Sequence, residues 1–428
     1  MPVVVAVAMF GCATAPKSPR SNEPPAERAD ALMKALQAND ADAAIALFDR
    51  RMKRAVSKRK LEELLQQVKG QQGAIVSWVL KSEEEHDGHR VHTFDVTSER
   101  GRFISTVAIS EAGEVSGFFL KPALRSKYEP LPIDPNAPFR EEEVKVGAEP
   151  WVLDGTLTLP KTGGPFPAAI LVQGSGPHDR DETNGPNRPF KDIAEGLSSK
   201  GIAVLRYDKR TFTHGSKMSS PTMTVEEEYV TDALAAVQLL KSRSDIDAKR
   251  IYVIGHSQGG TLAPEIGVRS QPIAGVVLLA AAYRPLPELA IEQMRHLGVP
   301  EREIAPIEAQ AKRVLSGEMK TTEKFLGVEA HYWLDLQQRD HAGFAKKLNV
   351  PILVLQGQRD YQVTEADFKG WKTALAGTPH VTFEMFPGLN HLFLKGEGKS
   401  MPAEYQRQGN VDAEVIAEIA AFISAQAH

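Results

Sequence analysis

Over the last two-thirds of the chain, short apolar runs alternate with amphipathic stretches. Residues 168–172, 203–206, 251–254, 276–279 and 352–355 are compact apolar runs, each predicted to be a strand buried on both faces. Between them the pattern predicts helices at 190–199, at 225–241 and directly after Ser257, with a last helix at 415–423. Thr224-Val-Glu-Glu227 predicts a capping box at the start of the 225–241 helix. Residues 144–147 and 152–159 read as an antiparallel pair ahead of this series. Strands and helices in such alternation predict an α/β fold, a mostly parallel sheet with helices on both faces.

The first third has a different pattern. Residues 26–67 are helical in pattern, with Leu61, Leu64, Leu65 and Val68 on one face. Strands are then expected at 75–80, 91–97, 103–109 and 115–120, with a hairpin turn at His86-Asp-Gly-His89. Helices followed by an antiparallel meander predict a separate small α+β domain. The predicted organisation is a leader and linker at 1–25, an α+β domain at 26–125 and a linker at 126–140. A main domain follows at 141–428, with an insertion at 283–349. Four prolines between Tyr128 and Arg140 mark the linker. The insertion, roughly sixty residues, far exceeds an ordinary strand crossover of about a dozen, and it reads as a helical cap. Its aromatic residues include Tyr332 and Trp333, which are candidates to line a substrate pocket; the competing reading is that they pack their helix down.

Composition narrows the function classes. The chain has 428 residues, 42% hydrophobic and 25% charged, with a net charge of −4. A broad basic surface for nucleic acid is therefore not expected. One cysteine excludes an internal disulfide and makes a cysteine-based metal site unexpected. That cysteine, Cys12, follows an apolar run at residues 3–10 and precedes a polar, proline-containing stretch. The arrangement resembles a shortened bacterial lipoprotein signal, lacking the usual basic residues in front. It implies lipidation of Cys12 and a periplasmic or membrane-anchored protein; the alternative is an incidental cysteine in a cytoplasmic one. His86, His89 and His92 straddle a hairpin turn without a completing ligand set, and are expected to form a solvated turn rather than a metal site.

The chemistry centres on residues 251–260. Four apolar residues run into Gly255-His-Ser-Gln-Gly259, a G-x-S-x-G sequence, and a helical pattern follows. A serine at such a strand-to-helix turn is exposed on a strained elbow. Gly255 and Gly259 are expected where a Cβ would clash. Ser257 is the candidate nucleophile. Asp360 lies in the loop after the 352–355 run, at the strand end that faces the site, and is the candidate acid. The competing reading makes Asp360 a cap of the helix near Glu365. His391 closes the loop Pro387-Gly-Leu-Asn-His391 after a strand at 381–386, and is the candidate base. His331, His341 and His380 lack that setting. For the oxyanion, the backbone N–H of Gln258 is one expected donor and that of Ser175 the other, with Gly174 as second choice. Asp179, Arg180 and Asp181, and likewise Asp208, Lys209 and Arg210, read as structural ion-pair loops at the rim of the site, with a substrate role as the alternative.

These motifs resemble the α/β-hydrolase superfamily, closest to bacterial serine esterases that carry a small NTF2-like domain in front. The resemblance covers residues from about 144 to the end. It rests on Gly255-His-Ser-Gln-Gly259 together with Arg206-Tyr-Asp-Lys-Arg210; Thr211 stands where many relatives have glycine. It implies an α/β-hydrolase fold with a helical cap, no cofactor, and carboxylester chemistry on a small-molecule ester of a small or aromatic acyl group. By the same resemblance Ser257, Asp360 and His391 form the triad, and Gln173 to Gly176 form the oxyanion loop. Two other functions compete. A serine peptidase of the prolyl-oligopeptidase type usually carries a β-propeller, whose blades need roughly 40–45 residues each. A non-catalytic envelope binding protein would not need the three residues.

Overall fold

The structure, a computed structural model, describes residues 5–7, 24–86, 88–99, 101–122, 128, 130–215, 217–218 and 223–425. Cys12 lies outside them. The chain divides into two compact units, Met1–Leu124 and Arg125–His428.

The first unit packs four helices, α1 (Pro25–Gln37), α2 (Ala41–Ala46), α3 (Arg50–Ala55) and α4 (Lys58–Gln72), with an antiparallel sheet. Its strands are β1 (Val5–Val7), β2 (Ile75–His86), β3 (His89–Ser98), β4 (Gly101–Ile109) and β5 (Val115–Pro122), in the order β1-β5-β4-β3-β2. Asp40, Asp49 and Ser57 each accept a backbone N–H at the start of a helix, which explains why the helical region breaks into short pieces. Leu32, Leu36, Leu61, Phe94, Val107 and Phe118 form the core. β1 falls inside the apolar run read as a leader and pairs with β5, Val5 opposite Leu120. The solvated-turn reading is corrected at one residue. His86 and His89 do close the hairpin, but His92 is wholly buried on β3, with Nε2 3.5 Å from Glu83 Oε2. The pleat alternates sides, so three residues beyond His89 the ring turns to the covered face.

The second unit is built on an eight-stranded sheet. Its strands are β6 (Phe139–Val146), β7 (Leu153–Pro160), β8 (Phe166–Val172), β9 (Ala203–Tyr207), β10 (Ile246–His256), β11 (Gly275–Leu279), β14 (Ile352–Gly357) and β15 (Val381–Phe386). The order is β15-β14-β11-β10-β8-β9-β7-β6. β6 and β7 are antiparallel to each other, and β7 to β9; every other neighbouring pair is parallel. Numbered from β6, this is 1-2-4-3-5-6-7-8, the strand order of the α/β-hydrolase fold. β8, β9, β11 and β14 are buried almost throughout because helices cover both faces. α5 (Pro189–Ser198) and the C-terminal helix pack with Leu171, Val204, Ile254 and Leu353 on one side. α6 (Arg210–Thr213) is a single turn after β9. Then α7 (Thr231–Lys241) and α8 (Gln258–Arg269) pack on the other side, with Ile170, Leu205, Val253 and Leu278. The capping box at Thr224 and Glu227 is formed, but the first turns, Glu226–Val230, are π-helical before α7 begins.

Between β11 and β14 lie α9 (Leu286–His296), α10 (Glu301–Leu315), a two-residue ribbon of β12 (Lys324–Phe325) and β13 (Val328–Glu329), α11 (Ala330–Gln338) and α12 (His341–Lys347). α13 (Glu365–Ala374) follows β14, and α14 (Ala413–Ala425) is the C-terminal helix. The insertion is thus helical, as its charge and apolar spacing predict.

Candidate active site

The tight turn at the end of β10 forces Ser257 into φ 53°, ψ −119°, a region side-chain-bearing residues rarely occupy. The two flanking glycines make the turn sterically feasible. A Cβ on Gly259 would fall on the carbonyls of Val172 and Gln173, and one on Gly255 would fall on the backbone of Gly259 and Gly260. The serine is only half-buried although its neighbours are buried, and α8 begins at Gln258. The first amides of a helix lack intrahelical acceptors, so the Gln258 N–H is available beside the hydroxyl.

Asp360 and His391 come together from the ends of β14 and β15. His391 Nδ1 lies 2.7 Å from Asp360 Oδ2. A carboxylate only accepts, so the proton sits on Nδ1 and Nε2 is left with its lone pair. Asp360 is held by three further donors. Its Oδ1 accepts from the amides of Gln362 (2.8 Å) and Val363 (3.0 Å), and its Oδ2 from Gln356 Nε2 (3.1 Å). The side chain is fully buried, and these bonds replace the water it has lost. The helix near Glu365 is capped by Thr364 and Asp367, not by Asp360. No hydrogen bond joins Ser257 Oγ to His391. His380 is a strand-entry residue with φ 59°, and His341 sits on α12.

The loop after β8 lies against the elbow. A Cβ on Gly174 would come within 3.1 Å of Ser257 Cβ. The Gly174 N–H, second choice as an oxyanion donor, is already given to Glu182 Oε1 at 2.5 Å. Ser175 is exposed, and its N–H has no acceptor among the described residues.

Buried side chains for which the sequence predicts no catalytic role tie these pieces together. His256 Nε2 donates to the main-chain oxygen of His391 at 2.8 Å, while Nδ1 is 2.9 Å from Glu182 Oε2. The second contact is one of charge rather than an aligned hydrogen bond. Burial alone would lower the His256 pKa; the Glu182 carboxylate outweighs it and holds the pKa above the ordinary value. Burial likewise opposes ionisation of Glu182, but His256, His178 and the Gly174 N–H keep its pKa low. Lys209, Glu228 and Tyr229 form a second buried group under the β8 loop. His256 and Lys209 lie inside the quoted motifs, but nothing in the sequence names their partners Glu182 and Glu228.

The ion-pair loops are interior rather than at the rim, because their charges are matched inside the domain. Arg180 is bidentate to Asp208 (3.2 and 3.1 Å) and pairs with Glu143 at 2.6 Å; Asp181 pairs with Arg206 and Arg188. Buried arginines and carboxylates are matched in this way because an unpaired charge there is very costly. Arg210 pairs with Asp232. Lys209 departs from the ion-pair reading, since two of its three bonds go to backbone carbonyls of the β8 loop.

The two candidate pocket aromatics separate. Tyr332 is buried, its hydroxyl donating to Glu228 Oε2 (2.6 Å) and accepting from Gln258 Nε2 (2.8 Å). Trp333 lines a cavity of about 220 Å³ beside the elbow helix, together with Gln258, Thr261, Ala282, Leu315 and Leu336. Among the described residues no cluster of histidine, cysteine, aspartate and glutamate has the geometry of a metal site.

Residues 187–321 match the family model described as serine aminopeptidase, S33. Esterase EstD of Thermotoga maritima is 45% identical over 341 residues, 78% of this chain and 80% of that protein. An uncharacterized protein of Mycobacterium tuberculosis is 29% identical over 129 residues, 30% of this chain and 40% of its own. Among solved structures, Est1E of Butyrivibrio proteoclasticus superposes with a TM-score of 0.46 at 18% identity, covering 66% of this chain and 98% of that one. With the extent of the likeness to Esterase EstD and the strand order of the sheet, the chain belongs to the esterase family of the α/β-hydrolases and is a hydrolase of the carboxylesterase type.

Proposed function

We propose that the protein cleaves carboxylic esters of small or aromatic acyl groups through an acyl-enzyme on Ser257. His391 Nε2 takes the serine proton as Oγ attacks the ester carbonyl, and later returns it to the leaving alcohol. Asp360 holds the imidazole with its free lone pair outward and balances the charge it gains. The N–H groups of Gln258 and Ser175 receive the oxyanion. Water, deprotonated by the same histidine, then releases the acid. The observation that carries this reading is the 2.7 Å bond from His391 to a buried Asp360, at the strand ends next to a serine with positive φ. The cavity beside Trp333 has room for a short or single-ring acyl group and is mostly apolar in lining.

The match to a serine aminopeptidase model over residues 187–321 favours one second reading, cleavage of aminoacyl amides by the same machinery. A panel of chromogenic acyl esters and aminoacyl anilides separates the two. Esters should be turned over and anilides should not, and Ser257→Ala should lower ester turnover by about 10⁶ while the protein stays folded. Near-wild-type activity in folded Ser257→Ala would sink both readings.

A further inference from the structure

We propose that Lys209, held in place by Glu228, is a positioning residue that sets the oxyanion-binding N–H of Ser175 by drawing the carbonyls of Gly174 and Gly176 to the opposite side of the loop. This inference rests on the serine-hydrolase reading and names the part of the chain that shapes its oxyanion site.

Lys209 is only 1% exposed, and its Nζ has three acceptors: Gly174 O at 2.9 Å, Gly176 O at 3.0 Å and Glu228 Oε1 at 3.1 Å. An ammonium has three N–H bonds, and a neutral amine has only two. All three bonds are therefore used only by the charged form. The Tyr229 ring adds to this, its centroid 3.7 Å from Nζ, as does the Glu228 carboxylate. Burial pulls the Lys209 pKa down and Glu228 works against it. Glu228 is in turn fixed by the hydroxyls of Tyr332 (2.6 Å) and Thr211 (3.1 Å), so the lysine cannot swing away without stranding a buried carboxylate.

The consequence for the loop follows from peptide geometry. In a trans peptide the C=O and the following N–H point in opposite directions. Gly174 O receives two donors, Lys209 Nζ and Tyr229 Oη, each at 2.9 Å. The Ser175 N–H, on the same peptide plane, must point away from both. It has no acceptor among the described residues, and the preceding Gly174 lies against Ser257 Cβ. The Gly176 carbonyl is held by the same lysine, and the next residue is Pro177, which has no N–H to misdirect. Glu182 meanwhile occupies the Gly174 N–H, so that amide cannot compete for the oxyanion. A neutral side chain at 209 would leave Gly174 O with Tyr229 Oη alone and take away the side-chain donor to Gly176 O, so the peptide that carries the Ser175 N–H would be held less firmly.

Thionoesters supply the readout. A sulfur anion accepts hydrogen bonds poorly, so an oxyanion donor speeds oxygen esters far more than the matching thionoesters. Lys209→Met, and Lys209→Met combined with Glu228→Gln to avoid a stranded carboxylate, should lower kcat on an oxygen ester about 10²–10³-fold, the effect of losing one oxyanion donor. KM should stay within a few-fold, and the oxygen-to-thionoester rate ratio should fall by a factor like that in kcat. Tyr229→Phe, which keeps the lysine and removes one donor to Gly174 O, should lower the ratio less, by several-fold. A folded variant whose kcat falls while the ratio stays at the wild-type value would reduce Lys209 to a structural role and overturn the proposal. So would an unchanged kcat. If both lysine variants fail to fold, the ratio in Tyr229→Phe decides in the same way. Fluorophosphonate labelling of Ser257 in the wild type is the independent control: its absence would remove the serine reading itself, whatever the lysine variants do.

Discussion

The imidazole of His256 donates from Nε2 to the main-chain oxygen of His391 at 2.8 Å, so the residue before the serine holds the loop that carries His391. On its other side the same ring faces Glu182, which holds the Gly174 N–H. One buried pair thereby braces the His391 loop, the elbow and the loop after β8.

That pair predicts a pH-dependent stability. The His256 pKa is raised by Glu182 despite burial. Its contribution is complete below the unfolded histidine pKa of about 6.5, and it is lost as pH rises through the higher folded value. The Glu182 pKa is lowered, so its contribution is present above the unfolded glutamate pKa of about 4.3 and is lost as pH falls through the lower folded value. The window of full effect runs from about 4.3 to 6.5. His256→Gln should keep the bond to the His391 carbonyl and lose the ion pair. Its deficit in Tm against wild type should be largest near pH 5.5 and shrink towards pH 9. A deficit that is constant over that range would mean that His256 is neutral in the folded protein.

Asp360→Asn keeps the size of the side chain but can donate where a carboxylate must accept. The histidine would then be free to turn to the wrong tautomer, and kcat on an ester should fall by about 10⁴ at neutral pH. His391→Asn should lose at least as much, and His380→Asn should stay near wild type. A large loss in His380→Asn together with a mild one in His391→Asn would reassign the base.

Trp333 closes one wall of the cavity beside the elbow, its indole N–H bonded to Phe325 O at 3.1 Å. Trp333→Phe removes that bond and enlarges the space. If the acyl group binds there, kcat/KM for a bulky ester relative to an acetate should rise by about tenfold or more, on the scale of about 1–3 kcal/mol for a methylene-sized change in a pocket. A ratio within error of wild type, with folded protein, would place the acyl group elsewhere.

Much of the fold was legible in order of residues because its signals are local. Period and length mark 168–172, 251–254 and 352–355 as buried strands, since a strand covered on both faces has no position where a polar side chain meets water. The elbow is equally local: a turn that tight needs glycine at 255 and 259 whatever surrounds it. Asp360 and His391 could be chosen because both follow strand ends, although only the fold brings residues 31 positions apart to within 2.7 Å. Contacts of long sequence separation were beyond that reading. Nothing near residue 209 says that its ammonium meets carbonyls 33 and 35 residues earlier, and nothing near 332 says that its hydroxyl reaches Glu228. The burial of His92 and the contact of His256 with Glu182 were hidden for the same reason. A polar side chain's role depends on which partners satisfy it once water is excluded, and those partners are chosen by the packing of distant elements rather than by sequence neighbours.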